Sequence, residues 1–298
     1  MRHGSLEDMD SPRSNGFSRP VEAQPEILPP GYEPQVGLRE PPRVEQSDRG
    51  MTQTRSRWAY APATYVLVAI NCLVFLAMVL KGISPTLPTT EQLLAWGANN
   101  GSLVMLHGEW WRLLSAAFVH VGIIHLATNM WCLWNLGMLG EPLLGPIGLM
   151  AVYVLSGISG NLLSNAVHPG IPGHLGVVGA GASGAVFGLC GVLIVLLKSP
   201  LLPVSPIEVK RLRQSVINFA ILNFVIGGST WFFHAGLQID NMAHLGGFLC
   251  GLALGVPLVP RIGAPRQQFR KRQHLAYYGM AVLLMVIGFG IFSFWMSA

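Results

Sequence analysis

Charge is what this sequence has least of. Asp, Glu, Lys and Arg make up 11% of its 298 residues, where soluble domains carry roughly 25%. With 51% hydrophobic residues, that scarcity excludes an ordinary water-soluble domain and predicts a membrane protein. Acids are scarcer still beyond residue 57, because nine of the fourteen lie in residues 1–57, together with eight of the twenty-one prolines. That first stretch has no apolar run of helical length and contains Pro29-Pro30 and Pro41-Pro42. It cannot offset its chain entropy by burial and is expected to be a disordered cytoplasmic arm. It also lacks the short apolar core of a cleavable signal peptide, so anchoring is expected to fall to the later helices. Cysteine is rare too. Cys72, Cys132, Cys190 and Cys250 each sit in an apolar stretch and none forms C-x-x-C, which argues against a metal knuckle or redox pair and reads as small buried residues. The net charge of +5 comes from short basic clusters between apolar runs, a pattern that suits membrane orientation better than nucleic-acid binding.

What is present is a series of long apolar runs. A bilayer core requires about 20 apolar residues per helix, and seven stretches qualify: 60–80, 113–137, 146–166, 177–197, 214–233, 240–259 and 275–296. Arg49, Arg55 and Arg57 precede the first, Lys198, Lys210, Arg211 and Arg213 flank the connection after the fourth, and Arg261, Arg266, Arg270, Lys271 and Arg272 fill the connection after the sixth. All three clusters lie on one side, so the positive-inside rule places the N-terminus in the cytoplasm and Ala298 outside. The segment 81–112 carries Trp96, Trp110 and Trp111 and is expected in the outer headgroup zone, where indole rings are favoured.

Polar side chains within spans are costly, so the few present are informative. In the fourth span the run Gly179-Ala180-Gly181-Ala182-Ser183-Gly184 sets a hydroxyl among residues with almost no side chain. Ala180, Gly184 and Gly188 form a small-residue stripe there, matched in the sixth span by Ala243, Gly247, Gly251 and Gly255. If the stripes pack together, Ser183 and His244, which sit beside them, can meet. A serine hydroxyl needs a base within hydrogen-bond reach to act as a nucleophile, and His244 is the one histidine of its span. The bland alternative makes Ser183 a packing residue and His244 a polar residue held by a carbonyl. His125 and Asn129, four apart, share a helix face and suit a developing oxyanion, while His120 points elsewhere. A metal site would need three or four converging ligands, and Glu109 and Glu141 stand at opposite ends of the span, so neither metal nor cofactor is expected. Glu141, within Gly137-x3-Glu141-x3-Gly145, is expected to accept hydrogen bonds from a neighbouring helix or loop. Asn71, Asn135, Asn218 and Asn223 are expected to bond between helices.

These residues resemble the rhomboid family, membrane-embedded serine proteases with a Ser-His dyad. Trp111-Arg112 resembles the family's Trp-Arg pair, His120-x4-His125-x3-Asn129 its second-helix motif, and Gly181-Ala182-Ser183-Gly184 its G-x-S-G motif. Ala243-His244-x-x-Gly247 is similar to the motif around its histidine, and Gly137 to Gly145 to its G-x3-E-x3-G element. The resemblance implies an all-α polytopic fold: a rhomboid-like bundle of six transmembrane helices over 58–259, then a basic cytoplasmic loop and a seventh helix over 260–298. It implies Ser183 as nucleophile, His244 as base, and His125 and Asn129 at the oxyanion. It further implies that His120 ties down the external loop and that Phe187 packs on His244, at a position where the family often has Tyr. The implied partners are transmembrane protein substrates and membrane lipids, in a cell membrane.

Hydrolysis needs water, so the dyad is expected in a cavity open to the outer face, and a helical substrate must unwind before attack. Trp231, Phe232 and Phe233 read either as a lateral gate or as an interfacial aromatic belt. Two other functions compete. A pseudoenzyme would lack the dyad, and a transporter would favour acids within the membrane, whereas here Glu141 and Asp240 stand at span ends.

Overall fold

The computed structural model describes residues 60–170, 176–199, 205–232, 240–259 and 266–297. The expected disordered arm lies outside the described residues, as do Phe233 and the side chains of Trp231 and Phe232 on which the gate reading rests.

Helix α1 (Pro62–Leu80) opens with proline at its first position, where a missing N–H costs nothing. The next two N–H groups have no partner within their own helix, and Glu141 supplies one. Its Oε1 accepts from Ala63 N at 2.9 Å, and its Oε2 accepts from Thr64 N and Thr64 Oγ1, each at 2.8 Å. A carboxylate at a helix N-terminus also faces the positive end of the helix dipole. The expectation of a structural Glu141 holds.

Residues 81–118 form an irregular layer containing α2 (Thr90–Ala95), β1 (Asn99–Asn100), α3 (Gly101–Met105) and α4 (Arg112–Ser115), the last running into a 3-10 turn (Ala116–Phe118). The continuous second span expected over 113–137 is broken here. The segment Arg112–Phe118 makes an angle of 94° with α5 (Ile123–Leu144). Gly122 has φ +152°, a conformation that side-chain-bearing residues rarely adopt. Ile123 N donates to the Pro85 carbonyl at 2.8 Å, anchoring the new helix start to the layer.

A tight turn at Gly145 leads to α6 (Pro146–Val167). After β2 (Val178–Gly179), which pairs antiparallel with β1, come α7 (Ser183–Leu196), α8 (Pro206–Phe232), α9 (Asn241–Leu258) and α10 (Arg266–Ser297). The described chain is thus an all-α polytopic membrane bundle with one two-residue ribbon. Among the described residues, α1, α6, α9 and α10 are long and apolar enough to cross a membrane, and the bent pair brings the number to five. Of the other two expected spans, α7 has only 14 residues, and α8 carries Glu208, Lys210, Arg211 and Arg213 in its first turns.

Helix α7 is the axis of the bundle. Leu189, Cys190, Val192 and Leu193 are fully buried along its length, as a helix apolar all round requires. They join Leu67 of α1, Leu133 of α5, Val152 and Tyr153 of α6 and Leu254 of α9 in one core. Asn71 bridges α1 to α6 as expected, its Nδ2 donating to Tyr153 Oη at 3.0 Å, while Tyr153 Oη donates to the Ala117 carbonyl at 2.9 Å. Among the described residues, Asn135 and Asn218 bond within their own helices rather than between helices. Asn135 Nδ2 donates to the Trp131 carbonyl of its own helix and Asn218 accepts from Gln214 of its own helix, both on exposed faces. The side chain of Asn223 lies outside the described residues. The four cysteines are free; Cys190 and Cys250 are buried as expected, whereas Cys132 is partly buried and Cys72 exposed.

Candidate active site

The expected fourth span, 177–197, begins six residues late. Residues 178–179 are held in the β-ribbon, and Gly181 has φ +139°, so the helix cannot start before Ser183, which becomes its first residue. Fourteen residues span about 21 Å, against about 30 Å of hydrocarbon. Lys198 is exposed just past its far end, and the helix by itself falls roughly 10 Å short of the hydrocarbon thickness. First-turn N–H groups have no acceptor within their own helix. Those of Ser183, Gly184 and Ala185 therefore lie together at the Ser183 end with the positive pole of the helix dipole.

The small-residue stripes do pack together. An added Cβ at Gly247 would overlap the Gly184 carbonyl oxygen, and one at Gly251 would overlap the Gly188 carbonyl oxygen. An added Cβ at Gly184 would lie 3.3 Å from the Ala243 carbonyl oxygen. The residue after Ser183 therefore touches the residue before His244. One turn further along α7, Phe187 stacks on the His244 ring, with centroids 4.4 Å apart and planes inclined by 21°. These contacts bring the buried imidazole against the face of α7 that carries Ser183, which is only half-buried.

His125 flanks the same point. A Cβ at Gly181 would lie 2.6 Å from His125 Cε1, so the imidazole rests on the backbone two residues before Ser183. Its Nδ1 is buried and makes no hydrogen bond among the described residues. Asn129, one turn below, spends one amide N–H on the His125 carbonyl at 2.9 Å, leaving the other proton of its Nδ2.

His120 lies within the break rather than on α5, and its ring comes within 5.4 Å of the His125 ring. Its Nε2 accepts from Ala182 N at 3.3 Å, so it holds the peptide before Ser183. Gly181 N donates to the Ala116 carbonyl at 2.9 Å, fixing the same segment from the 3-10 turn.

The irregular layer of residues 81–118 is held by Arg112. Its Nη1 donates to the Leu94 and Ala98 carbonyls at 2.7 and 3.0 Å, its Nε to Glu109 Oε2 at 2.5 Å, and its guanidinium lies 4.5 Å over the Trp111 ring. The Trp111-Arg112 pair is thus a clasp on the layer above Ser183. Asn99 and Asn165 exchange amide hydrogen bonds at 2.8 and 3.0 Å, and Asn161 Nδ2 donates to the Leu113 carbonyl at 2.9 Å. These asparagines tie the same layer to α6, and their side chains lack the periodic signature that would have marked them in the sequence.

Residues 107–261 match the rhomboid domain family. The chain is 32% identical over 231 residues to the rhomboid protease GluP of Bacillus subtilis, covering 77% of this chain and 41% of that protein. It is 35% identical over 179 residues to RHOMBOID-like protein 5 of Arabidopsis thaliana, covering 60% of this chain and 52% of the relative. With Rhomboid-like protease 2 of Toxoplasma gondii it shares 29% identity over 194 residues, covering 64% of this chain and 63% of the relative. The chain therefore spans between two fifths and two thirds of the length of these relatives.

Proposed function

This chain belongs to the rhomboid family, and on that premise we propose that it is an intramembrane serine endopeptidase, cutting peptide bonds within or next to transmembrane segments of membrane-protein substrates. The observation that carries the reading is the His244 ring stacked on Phe187, one turn below Ser183, on helices whose backbones touch at Gly184 and Ala243. Neutral His244 takes the proton of Ser183 as Oγ attacks the substrate carbonyl carbon. The carbonyl oxygen becomes an oxyanion, met by the first-turn N–H groups of α7, the His125 ring and the remaining Asn129 proton. Collapse expels the amine product, which receives the proton from His244 and leaves an ester on Ser183. Water, deprotonated by His244, then cleaves that ester and restores Ser183 Oγ–H.

The shortness of α7 supports a Ser183 set below the membrane surface, facing a substrate bond otherwise protected within a helix, so local unwinding precedes attack. Small or helix-breaking residues near the cut ease that step. Read with the positive-inside rule, the basic connections support a cytoplasmic N-terminus with the C-terminus and the Ser183 end outside, and the reading takes a cell membrane as the setting, with lipids and transmembrane substrates as partners. Every step uses protein groups and water.

The test is labelling of the purified full chain, in detergent micelles, with a fluorophosphonate. A single covalent adduct on Ser183, located by peptide mass spectrometry, is expected. Failure of the folded protein to react, or an adduct on another serine, would overturn the reading.

The oxyanion assignment has its own consequence. His125→Ala and Asn129→Ala are expected to cut kcat by about 10- to 10³-fold with little change in KM, because the interaction strengthens only as charge develops. Fluorophosphonate labelling should slow in parallel, since it too builds charge on an oxygen. Unchanged turnover at saturation, with weaker substrate capture alone, would make these side chains a docking site instead.

A further inference from the structure

The dyad reading leaves open what holds His244 in place, since α9 begins only three residues earlier, at Asn241. The residue before α9 is Asp240, whose carboxylate meets three elements. Its Oδ1 accepts from Ala243 N at 3.0 Å, the N-cap bond of α9. Its Oδ2 accepts from Ser164 Oγ of α6 at 2.6 Å. The same oxygen would lie 3.3 Å from a Cβ at Gly179, so it also rests on β2, four residues before Ser183. The Asp240 carbonyl takes the first intrahelical bond, from His244 N at 3.2 Å.

The peptide groups on either side of Ala243 are therefore fixed from both ends. Its N–H is held by Asp240, and its carbonyl is wedged between Gly160 of α6 and Gly184 of α7, where an added Cβ at Gly160 would overlap it. Gly184 directly follows Ser183. Two side-chain bonds tie this end of α9 to α6: Ser164 Oγ to Asp240 at 2.6 Å, at the cap itself, and Ser159 Oγ to the Gly246 carbonyl at 3.0 Å, beyond His244.

We propose that Asp240, braced by Ser164, is a positioning residue for the proposed base: it sets the rotation of α9 and hence the approach of the His244 ring to Ser183. The inference rests on the serine-protease reading. Either Asn or Asp can cap a helix N-terminus, whereas Ala cannot, and the cap, rather than the charge, is what the geometry uses. A misplacement of about 1 Å can cost on the order of 10²-fold in rate.

The experiment measures kcat, KM and fluorophosphonate labelling rate for the full chain carrying Asp240→Ala, Asp240→Asn or Ser164→Ala, alongside thermal stability in the same detergent. Asp240→Ala is expected to lower kcat and labelling by about 10- to 10²-fold with KM nearly constant. Asp240→Asn should recover most of that loss, and Ser164→Ala should fall between. If Asp240→Ala fails to fold, Ser164→Ala and Asp240→Asn still report. A wild-type rate in Ser164→Ala with a rate in Asp240→Asn no better than in Asp240→Ala would overturn the proposal, as would a loss confined to KM. Wild-type protein that does not label at Ser183 at all marks failure of the protease reading itself, which is a different result.

Discussion

Ser183→Ala is expected to abolish cleavage of a transmembrane substrate, and His244→Ala to do the same, each by about 10⁴-fold or more. Nucleophile and base act as one unit, so the double variant should be no slower than the worse single one. The folded state should survive the serine change. Ser183 is half-buried at the first turn of α7, and replacing its hydroxyl by hydrogen creates almost no cavity. His244→Ala removes a buried ring stacked on Phe187, so some loss of thermal stability accompanies it, and the serine variant is the cleaner of the two. The measurement is product formation from a labelled transmembrane substrate in proteoliposomes, with thermal unfolding run in parallel. Appreciable cleavage by folded Ser183→Ala would remove the nucleophile assignment. Retained activity in His244→Ala would send the search for a base to His125, whose ring rests on Gly181, two residues before Ser183.

The second large effect concerns the contact between α7 and α9. One methyl group at Gly247 or Gly251 would sit on top of the opposite carbonyl oxygen, of Gly184 or Gly188 respectively. Both obstacles are backbone, so neither can rotate away, and the helices must separate. On the proposed mechanism that separation acts on the step where Ser183 meets His244, and about 1 Å of it is worth roughly 10²-fold in rate. Gly247→Ala, closer to the dyad, should lose about 10²-fold or more, and Gly251→Ala somewhat less. Overpacking of this kind also costs about 1–3 kcal/mol of stability. Gly279→Ala on α10, where an added Cβ meets nothing within 4 Å, serves as the control and should leave both rate and stability unaltered or slightly improved. Full activity in both stripe variants would show that close approach of these helices does not govern the reaction. A loss of stability without loss of rate per folded molecule would assign the stripe to folding alone.

Much of this arrangement was legible before any coordinates. The recurrence of small residues every four positions marks two stripes suited to close helix contact, and the stripes do meet, at Gly184 with Gly247 and Gly188 with Gly251. The expectation for Glu141 was equally sound, because a carboxylate at the end of an apolar run has few choices other than unpaired N–H groups. The bridge from Asn71 to Tyr153 followed the same logic. Where the reading of asparagines went wrong, at Asn135 and Asn218, the side chains found acceptors and donors one turn away on their own helices. A bond between residues four apart satisfies the same polar groups without a neighbour, and composition cannot tell the two cases apart.

The sequence by itself determined the residue types of the chemistry, the spacing of the glycine stripes and the membrane setting. Those depend on local periodicity and on the high cost of polar groups in hydrocarbon, which are legible position by position. Tertiary structure alone decided where α7 begins. Hydropathy runs smoothly through residues 177–182, but pairing of β2 with β1 and the +139° φ of Gly181 stop the helix at Ser183. It likewise decided the 94° break that swings His120 to within 5.4 Å of His125 and onto Ala182, and the meeting of Asp240 with Ser164. Each of these is a contact between segments distant in the chain, made or lost by ångström differences in backbone position, and no periodicity within one segment records which distant carbonyl, amide or hydroxyl will arrive beside it.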